Sequence, residues 1–168
     1  ITKLINYVLL VCCDAQQTER SKMKFKIPGE PQGKARARTY MDARTRRMKS
    51  ITPRGTKLYE NLVKMNYLEA AEKQEFKGFF NKEPIEINIL AIYPIPASKS
   101  KKIKREMEFG NILPTKKPDA DNIAKAICDA LNEIAYHDDA QICRLSVSKR
   151  YQAIADCTPY TIVEIKEI

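Results

Sequence analysis

Between Asp121 and Ile134 the apolar residues Ile123, Ala126, Ile127, Ala130, Leu131 and Ile134 recur at i, i+3, i+4, i+7, i+8 and i+11. That spacing gathers them on one side of a 3.6-residue turn and predicts an amphipathic helix from Asp121 or Asn122 to Ile134. Such a helix needs an apolar surface to lie on, and the segments around it read as strands. Met23 to Pro28 alternates strictly and runs into a Pro-Gly turn. Ile85 to Tyr93 alternates at first and then stays apolar, the pattern of a central strand. Gln141 to Tyr151 alternates through Cys143, Leu145 and Val147, and Thr161, Val163 and Ile165 alternate near the end, with Asp156 to Pro159 as the turn between. A second helix is expected after Thr52 as N-cap, with Pro53 at its first position. Leu58, Leu62 and Met65, with Tyr59 and Val63 beside them, carry its period to about Glu75. The order β-α-β-α-β-β predicts an α/β (mixed α+β) fold, a single domain with a mixed sheet and helices packed on it. A chain of 168 residues suits one such domain.

The first 22 residues read differently. Leu4 to Cys13 is an apolar run after Lys3, too short to span a bilayer and without a small-x-small cleavage site behind it. We expect residues 1–22 to be an extension outside the working domain, which then occupies 23–168; the alternative is a terminal element packed on the body.

The formal charge is +9, and it is unevenly spread. From Gln32 to Lys57 the cations Lys34, Arg36, Arg38, Arg44, Arg46, Arg47, Lys49, Arg54 and Lys57 face one anion, Asp42. Self-repulsion on that scale calls for a polyanionic partner, so this stretch reads as a nucleic-acid-binding arm, with Thr39 to Met41 and Met48 to Ile51 pairing as a hairpin. A second run, Lys99, Lys101, Lys102, Lys104 and Arg105, is diluted by Glu106 and Glu108 and reads equally well as a solvated face. His137 is the only histidine, which excludes a multi-histidine metal centre. The five cysteines, Cys12, Cys13, Cys128, Cys143 and Cys157, show no paired metal spacing and read as reduced cytosolic thiols, with Cys128 and Cys143 as small buried apolar residues. No glycine-rich phosphate loop is present, so a nucleotide cofactor is not expected.

Acids bracket the amphipathic helix. Asp119 and Asp121 stand at its entrance, and Asp138 and Asp139 follow its exit. The two pairs face one another if the strand after Asp139 runs beside the helix's N-terminal end. Carboxylate oxygens suit a hard divalent cation, and acids beside a basic surface point to metal-assisted phosphodiester hydrolysis. Each acid also has a plain structural reading. Asp119 and Asp121 serve as helix caps, Asp138-Asp139 as a turn, Asp129 as a solvent-facing or packing-support residue, and Lys125 as the i, i+4 ion-pair partner of Asp121.

Taken together, Lys117-Pro118-Asp119-Ala120-Asp121-Asn122, Lys125, Asp129-Ala130-Leu131-Asn132 and Asp138-Asp139-Ala140-Gln141-Ile142 resemble the signature of the RusA family of Holliday junction resolvases of bacteria and their phages. The opening Phe25 to Pro31, followed by Lys34, Arg36 and Arg38, is similar to the family's start, so the likeness runs from about Met23 to the C-terminus. The resemblance implies a cytoplasmic, bacterial or phage-encoded, homodimeric endonuclease. It would cut four-way DNA junctions by paired symmetrical incisions with Mg²⁺ or Mn²⁺, serving DNA recombination and repair without a membrane or a nucleotide cofactor. It implies Asp119, Asp121 and Asp139 as the essential acids, Asp138 as a further metal ligand and Lys125 as a catalytic cation. Lys34, Arg36, Arg38, Arg44, Arg46, Arg47 and Lys117 are then the expected DNA contacts. The alternatives are a basic, non-catalytic recombination accessory protein and a metal-dependent phosphatase acting on a small substrate.

Overall fold

The computed structural model describes residues 22–76, 79–153 and 158–168. The expected extension therefore lies outside the described residues except for Lys22, where the first strand begins; Cys12, Cys13 and Cys157 lie outside them too. The elements are β1 (Lys22–Pro28), β2 (Arg38–Met41), β3 (Met48–Ile51), α1 (Arg54–Lys73), β4 (Ile85–Tyr93), α2 (Lys101–Glu108), α3 (Ala120–Leu131), a 3₁₀ turn (Asp139–Gln141), β5 (Ile142–Tyr151) and β6 (Tyr160–Glu167).

Four strands form one sheet in the order β1-β6-β4-β5, and β2 and β3 form a separate hairpin. β4 pairs with β5 in parallel and with β6 antiparallel, while β1 pairs antiparallel with β6. The sheet is therefore mixed, as expected. A parallel pair cannot be joined by a tight turn, so the chain between β4 and β5 crosses over, carrying α2 and α3 with it. One face of the sheet is apolar: Met23, Phe25 and Ile27 of β1, Ile87, Ile89 and Ala91 of β4, and Val163 and Ile165 of β6 are buried against Tyr59, Val63 and Tyr67 of α1 and Ile123, Ile127 and Leu131 of α3. The rings of Phe25 and Tyr67 meet edge-on at 5.5 Å. Tyr136 is buried beneath the end of α3 and donates its hydroxyl to the Cys128 carbonyl at 3.0 Å.

Several sequence expectations are corrected. In α1 the buried stripe is Thr56, Tyr59, Val63, Tyr67 and Ala71, whereas Leu58 and Met65 are exposed and Leu62 is only partly buried. Both stripes have helical spacing, and docking chose the one that carries the larger aromatic surface. Pro53, not Thr52, is the N-cap of α1. α3 stops at Leu131, short of Ile134, because Asn132 leaves the helical conformation and Glu133 has a positive φ of 60°. The lysine run forms α2, capped by Ser100 accepting from the Ile103 amide. That helix escapes a periodicity reading because only Met107 of its residues is buried. Cys128 is buried as expected, but Cys143 is exposed, since β5 is an edge strand. Among the described residues no helix is long and apolar enough to cross a membrane.

The choice of stripe is testable by urea unfolding. Ile127→Ala, in the core, should cost about 2–5 kcal/mol, whereas Leu58→Ala should stay within about 0.5 kcal/mol. Equal losses at the two positions would contradict the packing described.

Candidate active site

The first turn of α3 carries two of the acids. Asp119 occupies the N-cap position with extended backbone (φ −72°, ψ 154°), yet its side chain makes no capping hydrogen bond. Its carboxylate is exposed and so is that of Asp121 two residues on, where the helix dipole favours negative charge. Capping is therefore not how the Asp119 side chain is used. The segment 30–34 lies across this turn: the Lys34 amide donates to the Asn122 carbonyl at 2.9 Å. A Cβ on Gly33 would stand 2.7 Å from Pro118 Cβ and 3.0 Å from Asn122 Cβ, so only glycine allows so close a crossing. Between segment and helix opens a cleft of about 580 Å³ lined by Glu30, Gln32, Lys34, Lys117, Asp119 and Asn122, among others.

Glu30 is an acid that no sequence pattern singles out, although it is the one anion between Ile27 and Met41 and stands at a Pro-Gly turn. It pairs with Lys116 at 3.2 Å.

The second pair of acids is built by a compact turn. Asp138 accepts from the Ala140 amide at 2.8 Å, and Gln141 completes a capping box by accepting from the Asp138 amide at 3.4 Å, its oxygen also taking the His137 amide at 2.9 Å. The Gln141 amide nitrogen also donates to the carbonyls of Asn81 and Glu83, fastening the turn to the segment before β4. Asp138 and Gln141 thus hold the turn, and Asp139, its first residue, is left exposed. The charge of Asp139 is felt along the second half of α3. Burial, with the carboxylates of Asp129 and Asp139 in support, pushes the Cys128 thiol up to about 11 against the opposing hydrogen bond with Tyr136.

Lys125 stands exposed between the two ends of the helix, and the ion pair with Asp121 that its spacing invites does not form. Contact between Lys149 and residues 116–118 places the far end of β5, not its start, beside the first turn of α3. Among the described residues no three acidic, histidine or cysteine side chains are gathered into a ready metal cage. The donor set nevertheless fits Mg²⁺, which takes one or two carboxylates and completes its octahedron with water and substrate phosphate. An exposed, uncapped Asp119 beside Asp121 meets that requirement.

The cations divide into two groups. Lys34, expected to contact DNA, is directed into the protein, where its ammonium bonds to Asp129 and lies 3.4 Å from Glu60. Desolvation lowers its pKa, but the bond and charge of Asp129, with Glu60, outweigh it and hold the ammonium above the ordinary lysine value. Asp129 is therefore the packing-support residue its position suggested. Arg44, Arg46 and Arg47 are displayed at the tip of the β2–β3 hairpin, and Arg36, Arg38 and Lys117 are also exposed. Asp42, the one anion of that stretch, pins the tip by accepting from the amides of Arg44 at 2.9 Å and Thr45 at 3.3 Å and by pairing with Lys49. The Lys49 hydrogen bond, together with the Arg44 and Thr45 amides, holds its carboxyl below the usual carboxylate value.

The sequence model of the family described as endodeoxyribonuclease RusA matches residues 28–166, from the end of β1 to β6. The chain belongs to the RusA endodeoxyribonuclease family. An uncharacterized protein, YqaN of Bacillus subtilis (strain 168), is 32% identical over 148 residues, covering 87% of this chain and 96% of its own length. RusA membership makes the chain a nuclease-family hydrolase. The hairpin arginines are exposed, whereas the Lys34 ammonium is taken up by Asp129 and Glu60. Replacing Arg44, Arg46 and Arg47 together by Ala should reduce the slope of log K against log salt for DNA binding by about 0.9 for each phosphate no longer neutralised. Lys34→Met should leave that slope unchanged and lower thermal stability instead; the reverse pattern would show Lys34 to be a DNA contact.

Proposed function

We propose that this protein is a Mg²⁺-dependent endonuclease that cuts four-way DNA junctions by paired, symmetrical incisions, acting as a homodimer. The observation that carries the proposal is the Asp119 carboxylate, at a helix N-cap yet unused as a cap, on a cleft floored by Asn122 and flanked by Lys117. Asp119 and Asp121 would hold the ion, Mg²⁺ or Mn²⁺, and Asp139, which follows the other end of α3, would join them as the likeness to the family's signature implies. When bound, the ion supplies an acidified water as nucleophile and positive charge for the departing oxygen. Asp138 enters through the turn it caps, setting the backbone from which Asp139 projects. Lys125, unpaired with Asp121 and exposed, is free to offset charge that builds on the scissile phosphate. Arg36, Arg38 and the hairpin tip would carry the flanking strands. A four-way junction has two-fold symmetry, and a closed dimer would present two equivalent sites to opposed strands.

The test uses a labelled four-way junction and a matched linear duplex, each with Mg²⁺ or with EDTA. Paired nicks confined to the junction and lost in EDTA are expected; binding without nicks would favour the accessory-protein reading. Asp119→Asn, Asp121→Asn and Asp139→Asn should each abolish cutting while junction binding persists. Asp138→Asn, whose amide oxygen still accepts from Ala140, should keep much of the activity. Lys125→Ala should slow the single-turnover rate roughly 100-fold to 1,000-fold, and a wild-type rate would remove Lys125 from the site.

A further inference from the structure

β5 carries an anomaly of pattern. On the face it shares with Ile87, Ile89, Ala91 and Tyr93 of β4, it carries Leu145, which is half exposed, and then Val147, Lys149 and Tyr151, each partly buried. Three are apolar or aromatic and one is a lysine. Alternation would put a fourth apolar side chain at that place, since Ala91 and Tyr93 beside it are buried.

The Lys149 ammonium does not run out to solvent. It donates to the Lys116 carbonyl at 2.6 Å and to the Pro118 carbonyl at 3.0 Å. Lys149 and Lys116 also hold their ammoniums 5.5 and 5.4 Å from the centre of the Tyr93 ring, which is fully buried. The two carbonyls belong to the segment that delivers Asp119 to the start of α3. On its other side that segment meets Gly33, whose backbone approaches Pro118 closely. Asp119 is thus introduced by a segment gripped from the sheet by Lys149 and hemmed in by the 30–34 loop. A carboxylate with no capping bond of its own depends on its backbone for direction, and Lys149 is the side chain that fixes this backbone.

We propose that Lys149 is a positioning residue: by clamping the carbonyls of Lys116 and Pro118 it orients Asp119 for the metal ion and the scissile phosphate. This rests on the reading of Asp119 as a metal ligand. Outer-shell groups that orient a ligand typically cost about 10-fold to 100-fold in metal affinity or activity when removed. A competing role is available on general grounds, since an inward-pointing charge on an edge strand deters pairing with a second sheet.

The experiment compares Lys149→Met, which keeps the length of the stem and removes the donors, with Lys149→Arg, which keeps donors and charge. Asp119→Asn serves as the reference. Mn²⁺ binding without DNA is read by electron paramagnetic resonance, junction binding in EDTA by gel shift, single-turnover cutting as a function of Mg²⁺, and folding by thermal melting. Lys149→Met should weaken Mn²⁺ binding and slow cutting at limiting Mg²⁺ by about 10-fold to 100-fold, with junction binding in EDTA unchanged. Lys149→Arg should recover part of both losses. If Lys149→Met melts early, Lys149→Gln is measured with the same readouts. Wild-type Mn²⁺ affinity and cutting in the folded variant would overturn the proposal, as would aggregation with metal binding intact, which would assign Lys149 to edge protection. A loss of junction binding in EDTA equal to the loss of cutting would also overturn it, making Lys149 a DNA contact. Should Asp119→Asn bind Mn²⁺ as the wild type does, the metal-site reading itself fails; if only Lys149→Met does so, the clamp alone is wrong.

Discussion

The parallel pairing of β4 with β5 is the constraint on which the rest depends. An antiparallel neighbour could have been reached by a short turn, but a parallel one requires the chain to return across the sheet before it pairs. That return places α3 on the apolar face, where Ile123, Ile127 and Leu131 are buried with Tyr67 and Ile87. Burying side chains of this size stabilises by roughly 1.5–3 kcal/mol each, enough to hold both ends of the helix in register with the sheet. Asp119 and Asp121 enter with its first turn, and Asp138 and Asp139 leave with the turn that leads into β5. The acids are carried by the one part of the chain that the sheet topology compels to be there.

Around this frame, polar contacts set the loops that packing leaves loose. Gln141 uses both ends of its amide, accepting from the turn and donating to the segment before β4. Lys34 ties the 30–34 loop to Asp129 of α3 and Glu60 of α1, and Thr56 accepts from the Ala35 amide at 3.3 Å. None of these pairs is large in energy on a partly exposed surface. Their effect is geometric, since each joins segments far apart in sequence and holds a backbone that bears, or adjoins, an acid. The β2–β3 hairpin lies outside this network: all eight of its strand residues are exposed. A surface with so many arginines and so little cover is stable only in water or against a polyanion.

Much of this was legible in the residues. Period 2 and period 3.6 are properties of a single segment, so the four sheet strands, the two long helices and the hairpin could be read from spacing alone. The acids were legible because Asp119, Asp121, Asp138 and Asp139 share a pattern with the RusA family, and the basic arm because its charge is local. α2 was not legible, since a helix that buries only Met107 has no apolar period to detect. Glu30 was hidden for a different reason: a single acid in a cationic stretch shows no partner until Lys116 is brought to it.

What only the tertiary structure decided were choices between patterns that local physics leaves equal. Tyr59, Val63 and Tyr67 and the competing Leu58, Leu62 and Met65 are both helical stripes, and only the shape of the facing sheet selects the first. Lys34 and Arg44 look alike as cations of one run, yet the first reaches Asp129 and Glu60 and the second remains in solvent, because folding brings carboxylates to one and not to the other. Asp138 and Asp139 are adjacent, chemically identical and both exposed, and the turn uses only the first as a cap. The sequence by itself determined which elements form and which chemistry they carry, because spacing and charge act over a few residues. Which side chain of each pair faces the site was decided by contacts between residues distant along the chain, and those exist only once the sheet has closed.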